Sequence, residues 1–164
     1  MLAVSLLLAG CQQQVGDYVA ASSISRNGFA RDDAALSRVD GQEVKLWGYV
    51  DPSNLYGDAS AQAILGDWWS GEGPDAATWR FNLKARAGDE AGQSFAVDVP
   101  NDQGRDDLLR AFVADAQSQR PTKVFVTGRL TTFDAPATDR VRTGLTMEVQ
   151  SSDDILLEAP SDLN

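Results

Sequence analysis

A mainly β domain, closed from five strands into a small barrel with one helix between the third and fourth, is the fold this sequence predicts. Three observations predict it. The stretches EVKLWGYV (43–50) and KVFVTGRL (123–130) share one frame, Val44, Leu46, Gly48 and Val50 against Val124, Val126, Gly128 and Leu130. Period-two alternation marks each as a half-buried strand, and a glycine inside a strand marks the bend that a small closed barrel needs. Between them the period changes once, in RDDLLRAFVADAQSQRP, where Leu108, Leu109, Phe112, Val113 and Ala116 fall on one helical face.

Each element follows in order. QQQVGDYVAASSISRN (12–27) is polar and small, the composition of a tether. A short helix is expected around Asp32 to Arg38, and Asp40-Gly41 makes a turn. After the first strand, WRFNLKAR sets Trp79, Phe81, Leu83 and Ala85 inward and Arg80, Asn82, Lys84 and Arg86 outward. SFAVDV sets Phe95, Val97 and Val99 inward after a turn over Gly88 to Gly92. Asp106 and Asp107 begin the helix and Pro121 ends it. GLTMEV alternates Leu145, Met147 and Val149, and DILLE closes the domain.

From about Val39 to Glu158 this order resembles the OB-fold, the five-stranded Greek-key barrel with a helix between its third and fourth strands. It is most similar to small exported bacterial OB-fold proteins and anticodon-binding-like OB domains. The resemblance implies a ligand face on strands two and three, framed by the loops joining strands one and two and strands four and five.

The chain's single cysteine sits in LLLAGCQQQ (6–14). The apolar run before it is too short to span a bilayer, which takes about 20 apolar residues. Leu8, Ala9, Gly10 and Cys11 resemble the lipobox of bacterial lipoproteins. The resemblance implies a signal peptide over residues 1–10, a diacylglyceryl group on the Cys11 thiol with palmitate among its chains, and cleavage that makes Cys11 the lipidated N-terminus. Lacking a preceding Lys or Arg, the run is expected to be the shortened end of a longer leader. The implied organisation is an anchor and tether over 11–30 and a single domain over 31–160. Gln12 stands where enteric lipoproteins retained at the inner membrane carry aspartate, so the expected location is the periplasmic face of the outer membrane. One acyl chain holds marginally and two hold stably, at about 0.8 kcal/mol per buried methylene.

Composition narrows the chemistry. Hydrophobic residues make up 43%, enough for a globular core, and histidine is absent. That removes the commonest general base and the usual zinc ligand, and no cofactor or metal is expected. With Cys11 lipidated there is no thiol for catalysis. A net charge of −10 opposes broad attachment to nucleic acid or anionic lipid. NDQGRDD (101–107) imitates a calcium loop, but its twelfth position falls on Val113, so the pattern fails.

Two loops carry candidate ligand-binding residues. The first, Asp51 to Thr78, is about 28 residues, far beyond an ordinary connection. It holds Tyr56, Trp68 and Trp69, either as a lid docked on the barrel or as a stacking platform; the lid is preferred because large aromatics mostly bury. The second, FDAPATDRVRT, brings Arg140 and Arg142 toward Arg80, Lys84 and Arg86 on the second strand. Five converging cations would suit a polyanion; the alternative is charge for solubility, paired with Asp98, Glu90 or Glu148. Trp47 and Tyr49 are read as core or sub-core packing in preference to an external patch.

The function expected is a non-catalytic, lipid-anchored binding module of the bacterial envelope, with a protein or envelope polymer as partner. Binding of a polyanion or single-stranded nucleic acid through the cationic face is the first alternative. A hydrolase working through carboxylates is the second.

Overall fold

Two mid-strand glycines organise the chain. The computed structural model describes residues 14–52, 78–90, 92–136 and 141–160. β5 (Glu43–Val50) and β8 (Lys123–Pro136) run antiparallel from Glu43↔Arg129 to Tyr49↔Lys123. A Cβ on Gly48 would lie 2.7 Å from the Lys84 carbonyl oxygen, and one on Gly128 2.5 Å from that of Glu148. Both approaches are closer than any side chain tolerates, so glycine is required where each strand changes neighbours. Past Gly48, β5 pairs with β6 (Thr78–Lys84) through Tyr49 and Val50; past Gly128, β8 pairs with β9 (Val141–Glu148).

β6 pairs with β7 (Ser94–Pro100) from Thr78↔Pro100 to Lys84↔Ser94. β7 lies parallel to β9 over Ala96–Asp98 and Thr146–Glu148. The hydrogen-bonded order is therefore a ring of five strands, β5-β6-β7-β9-β8 and back to β5. The expected strands fall where the alternation placed them, with β8 and β9 longer than predicted.

Inward positions fill the ring. Phe81, Leu83, Val97, Val99, Val124, Val126, Leu130 and Met147 are wholly buried. α2 (Arg105–Gln117), between β7 and β8, adds Leu108, Phe112 and Val113. The rings of Trp79, Phe81 and Phe112 lie 5.3 to 6.4 Å apart centre to centre, tilted against one another. The helix stops at Gln117 rather than at the proline, because Gln119 turns into the left-handed region (φ 54°). β10 (Ile155–Leu156) then pairs with Val126 and Phe125 of β8.

Residues 14–30 depart from the tether expectation. They form β1 (Gln14–Val15), β2 (Tyr18–Ala20), β3 (Ser25–Arg26) and β4 (Phe29–Ala30), a strap laid on the ring. β2 adds parallel to β5 at Val19↔Leu46 and Ala20↔Trp47, and β4 adds to β9 at Phe29↔Gly144. The physical reason is apolar burial that a polar average conceals: Tyr18, Ala20, Ala21 and Ile24 are all buried. Ala21 and Ile24 join the ring's core. Tyr18 and Ala20 instead cover a second cluster on the outer side, with Trp47 and Phe125, against which Tyr49 packs. Trp47 and Tyr49 are thus sub-core, as expected, but their cover is the strap. α1 (Asp33–Leu36), shorter than expected, is capped by Asp32, whose side chain accepts from the Ala35 N–H at 2.6 Å.

Candidate functional site: an arginine-lined double cleft

The site begins with a turn. Asn27 (φ 55°) and Gly28 (φ 79°) both lie in the left-handed region between β3 and β4, the backbone of a two-residue hairpin loop. Gly28 also sits where a Cβ would meet the Ser94 carbonyl oxygen at 2.6 Å, which seats the hairpin on the start of β7. This geometry carries Arg26 and Arg31 over the end of the ring, next to Arg86 beyond β6 and Arg142 on β9.

Two adjoining clefts result. The first, about 420 Å³, is lined by Ser22, Ser25, Arg26, Asn27, Arg31 and Arg86, with Asp89 and Ala85. The second, about 610 Å³, shares Arg26, Asn27 and Arg31 and adds Arg142, Phe29, Asp32 and Asp33. Ligand sites occupy roughly 300–1,000 Å³, so each has the size for a small group. Among the described residues none of the four arginines forms an ion pair. Arg31 donates to the Ser22 carbonyl at 3.3 Å. The Arg142 guanidinium carbon stands 5.4 Å from the centre of the Phe29 ring, a cation–π contact, and its Nε is buried without a partner among the described residues. Two of the three aspartates are already engaged: Asp32 caps α1, and Asp89 accepts the Arg86 N–H at 2.8 Å.

The expected cationic face assembles only in part. Arg80 is turned to Asp98, which its Nε and Nη2 reach at 2.6 and 3.1 Å, and Thr146 Oγ1 adds a further bond to the same carboxylate at 3.3 Å. The Asp98 hydrogen bond raises the Arg80 pKa above its ordinary value against the opposing effect of burial. Lys84 is buried at 7% exposure, and its ammonium donates to the Ala87 carbonyl at 3.1 Å. Charge pairing across the sheet therefore accounts for Arg80, and Arg86 and Arg142 belong instead with Arg26 and Arg31. Cys11, Tyr56, Trp68, Trp69 and Arg140 lie outside the described residues. Arg26 and Arg31 were missed because they fall in or beside the presumed tether. The signal that would have found them is the dipeptide Asn27-Gly28, the strongest short-range hairpin mark.

The acidic stretch 101–107 has a structural task. Asp102 accepts the Ser152 N–H at 2.9 Å, the Gly104 N–H at 3.0 Å and the Ser151 hydroxyl at 3.3 Å. Its carboxyl is held below the usual carboxylate range first by the Ser152 side chain, then by the Ser152 N–H. Of these the N–H is the formed bond, since Ser152 Oγ meets no partner in hydrogen-bonding geometry. The interaction ties the entry of α2 to the turn before β10.

No family model, no curated protein and no solved structure matches this chain.

Proposed function

We propose that this protein is a non-catalytic binding module with an OB-fold, held at a bacterial membrane by lipid on Cys11 and presenting its ring to a protein or polymer of the cell envelope. The observation that carries the fold is the order of the ring. Its third strand (β7) runs parallel to its fifth (β9), its first (β5) closes on its fourth (β8), and α2 stands between the third and fourth. That order is the one expected of a Greek-key OB-fold and supports the reading; members of that fold use the same face for many unrelated ligands.

Binding without catalysis is supported by the residues available. The chain has no histidine, and its lone cysteine sits in the lipobox-like tetrapeptide. Among the described residues the carboxylates drawn into tight hydrogen bonding hold the frame: Asp98 serves strand pairing, Asp102 a turn, and wholly buried Asp51 the start of β7, where it accepts the Gly92 N–H at 2.8 Å and the Ser94 hydroxyl at 2.7 Å. Anchorage is supported by the sequence Leu8-Ala9-Gly10-Cys11 after an apolar run.

Membrane fractionation of the full chain and of Cys11→Ser tests this reading. The unaltered protein is expected in the membrane fraction with a diacylated N-terminal cysteine in its mass spectrum, and the variant in the soluble fraction. Identical fractionation of the two, with a free thiol in the native protein, would overturn the anchor.

A further inference from the structure

We infer that the double cleft formed by Arg26, Arg31, Arg86 and Arg142 is a binding site for a ligand carrying two phosphoryl groups, one seated in each cleft. The inference rests on the strap and the ring, independently of the lipid anchor.

Four features point to it. All four cations are arginine, whose planar fork meets phosphoryl oxygens in pairs, whereas lysine acts as a point charge. Each cleft has one arginine of its own, Arg86 or Arg142, and the two share Arg26 and Arg31, so the layout has two anion positions side by side. The guanidinium groups lack carboxylate partners among the described residues, in a chain where Asp and Glu outnumber Lys and Arg by 24 to 14. Three other surface arginines are neutralised: Arg80 is clamped by Asp98, Arg110 by Asp107 and Arg120 by Asp115. Finally, the buried Arg142 Nε has no acceptor among the described residues, while the guanidinium group lies against the Phe29 ring. An unsatisfied buried donor is costly, and a small shift of the side chain on binding would let a phosphoryl oxygen offset that cost.

Three carboxylates line the same clefts, and their roles explain why the site is not cancelled. Asp32 and Asp89 spend an oxygen each on backbone N–H groups, and Asp33, at the start of α1, has no partner among the described residues. The site therefore has a modest positive excess and directional donors. It selects closely spaced anionic groups over a diffuse negative surface.

The test titrates the purified full chain with sodium tripolyphosphate and, separately, with phosphatidylcholine vesicles containing a diphosphorylated lipid. Phosphatidylglycerol vesicles of matched charge and a single-stranded oligonucleotide serve as competitors. Saturable, salt-sensitive binding is expected, weakened about tenfold or more in Arg26→Gln/Arg86→Gln and unchanged in Arg80→Gln. Binding to tripolyphosphate assigns the site to free phosphoryl ligands; binding only to the diphosphorylated vesicles assigns it to a lipid headgroup. Both support the inference. Absence of binding to either, equal binding to phosphatidylglycerol, stronger displacement by the oligonucleotide, or an equal loss in Arg80→Gln overturns it. Should the double variant melt early, Arg86→Lys repeats the test with charge retained. Undiminished affinity in that variant would contradict recognition by the guanidinium fork.

Discussion

The ring and the strap obey different physics, although they share strands in one sheet. The ring buries large side chains against one another: Phe81, Phe112, Val97 and Val124 are wholly excluded from water, and every strand is paired on both edges for part of its length. The strap buries Tyr18, Ile24 and a few small residues, and joins the ring through short pairings at Val19↔Leu46, Ala20↔Trp47 and Phe29↔Gly144. The contrast shows that stability and recognition are divided. The ring supplies a rigid frame with Arg86 and Arg142, and the strap completes the cleft by adding Arg26 and Arg31.

The largest effect is expected inside the ring. Phe81→Ala removes a wholly buried ring that contacts Trp79 and Phe112, and is expected to lower global stability by about 3–5 kcal/mol. Urea denaturation followed by tryptophan fluorescence measures it, and a loss below about 1 kcal/mol would mean that the interior is not packed as described. A smaller and more local effect is expected at the strap. Tyr18 stacks edge-on against Phe125 at 5.4 Å and its hydroxyl lies 3.2 Å from Thr127 Oγ1. Tyr18→Ala is expected to speed amide hydrogen exchange over residues 14–30 while β6, β7 and β9 stay protected. Equal acceleration in ring and strap would show that they unfold as one unit.

How much of this was legible in the sequence follows the same division. Alternation exposed β5, β6, β7, the first part of β8 and β9 because each has one face on a common core, and the change of period exposed α2. Gly48 and Gly128 were legible as bends, although the carbonyl oxygens they admit belong to strands distant in sequence. The strap was not legible by hydropathy, since two-residue and three-residue strands are too short to show a period. Ala20, Ala21 and Ser25 are buried against the ring, although side chains this small leave little mark in the hydropathy. The site suffered for the same reason. Outward strand positions gave Arg80 and Lys84 as candidates, yet cross-strand Asp98 claims the first and burial the second. Arg86 and Arg142 were recognisable as cations; their companions were recognisable only through Asn27-Gly28.

Seating of the strap on the ring is most directly tested by nuclear Overhauser contacts in the full chain between Phe29 and Gly144, neighbours across β4 and β9. Strong contacts between the Phe29 and Gly144 backbone protons, with β-strand chemical shifts at both, are predicted. Random-coil shifts throughout residues 14–30 and no contact to Gly144 would contradict the account, because Arg26 and Arg31 would then have no fixed place beside Arg86 and Arg142.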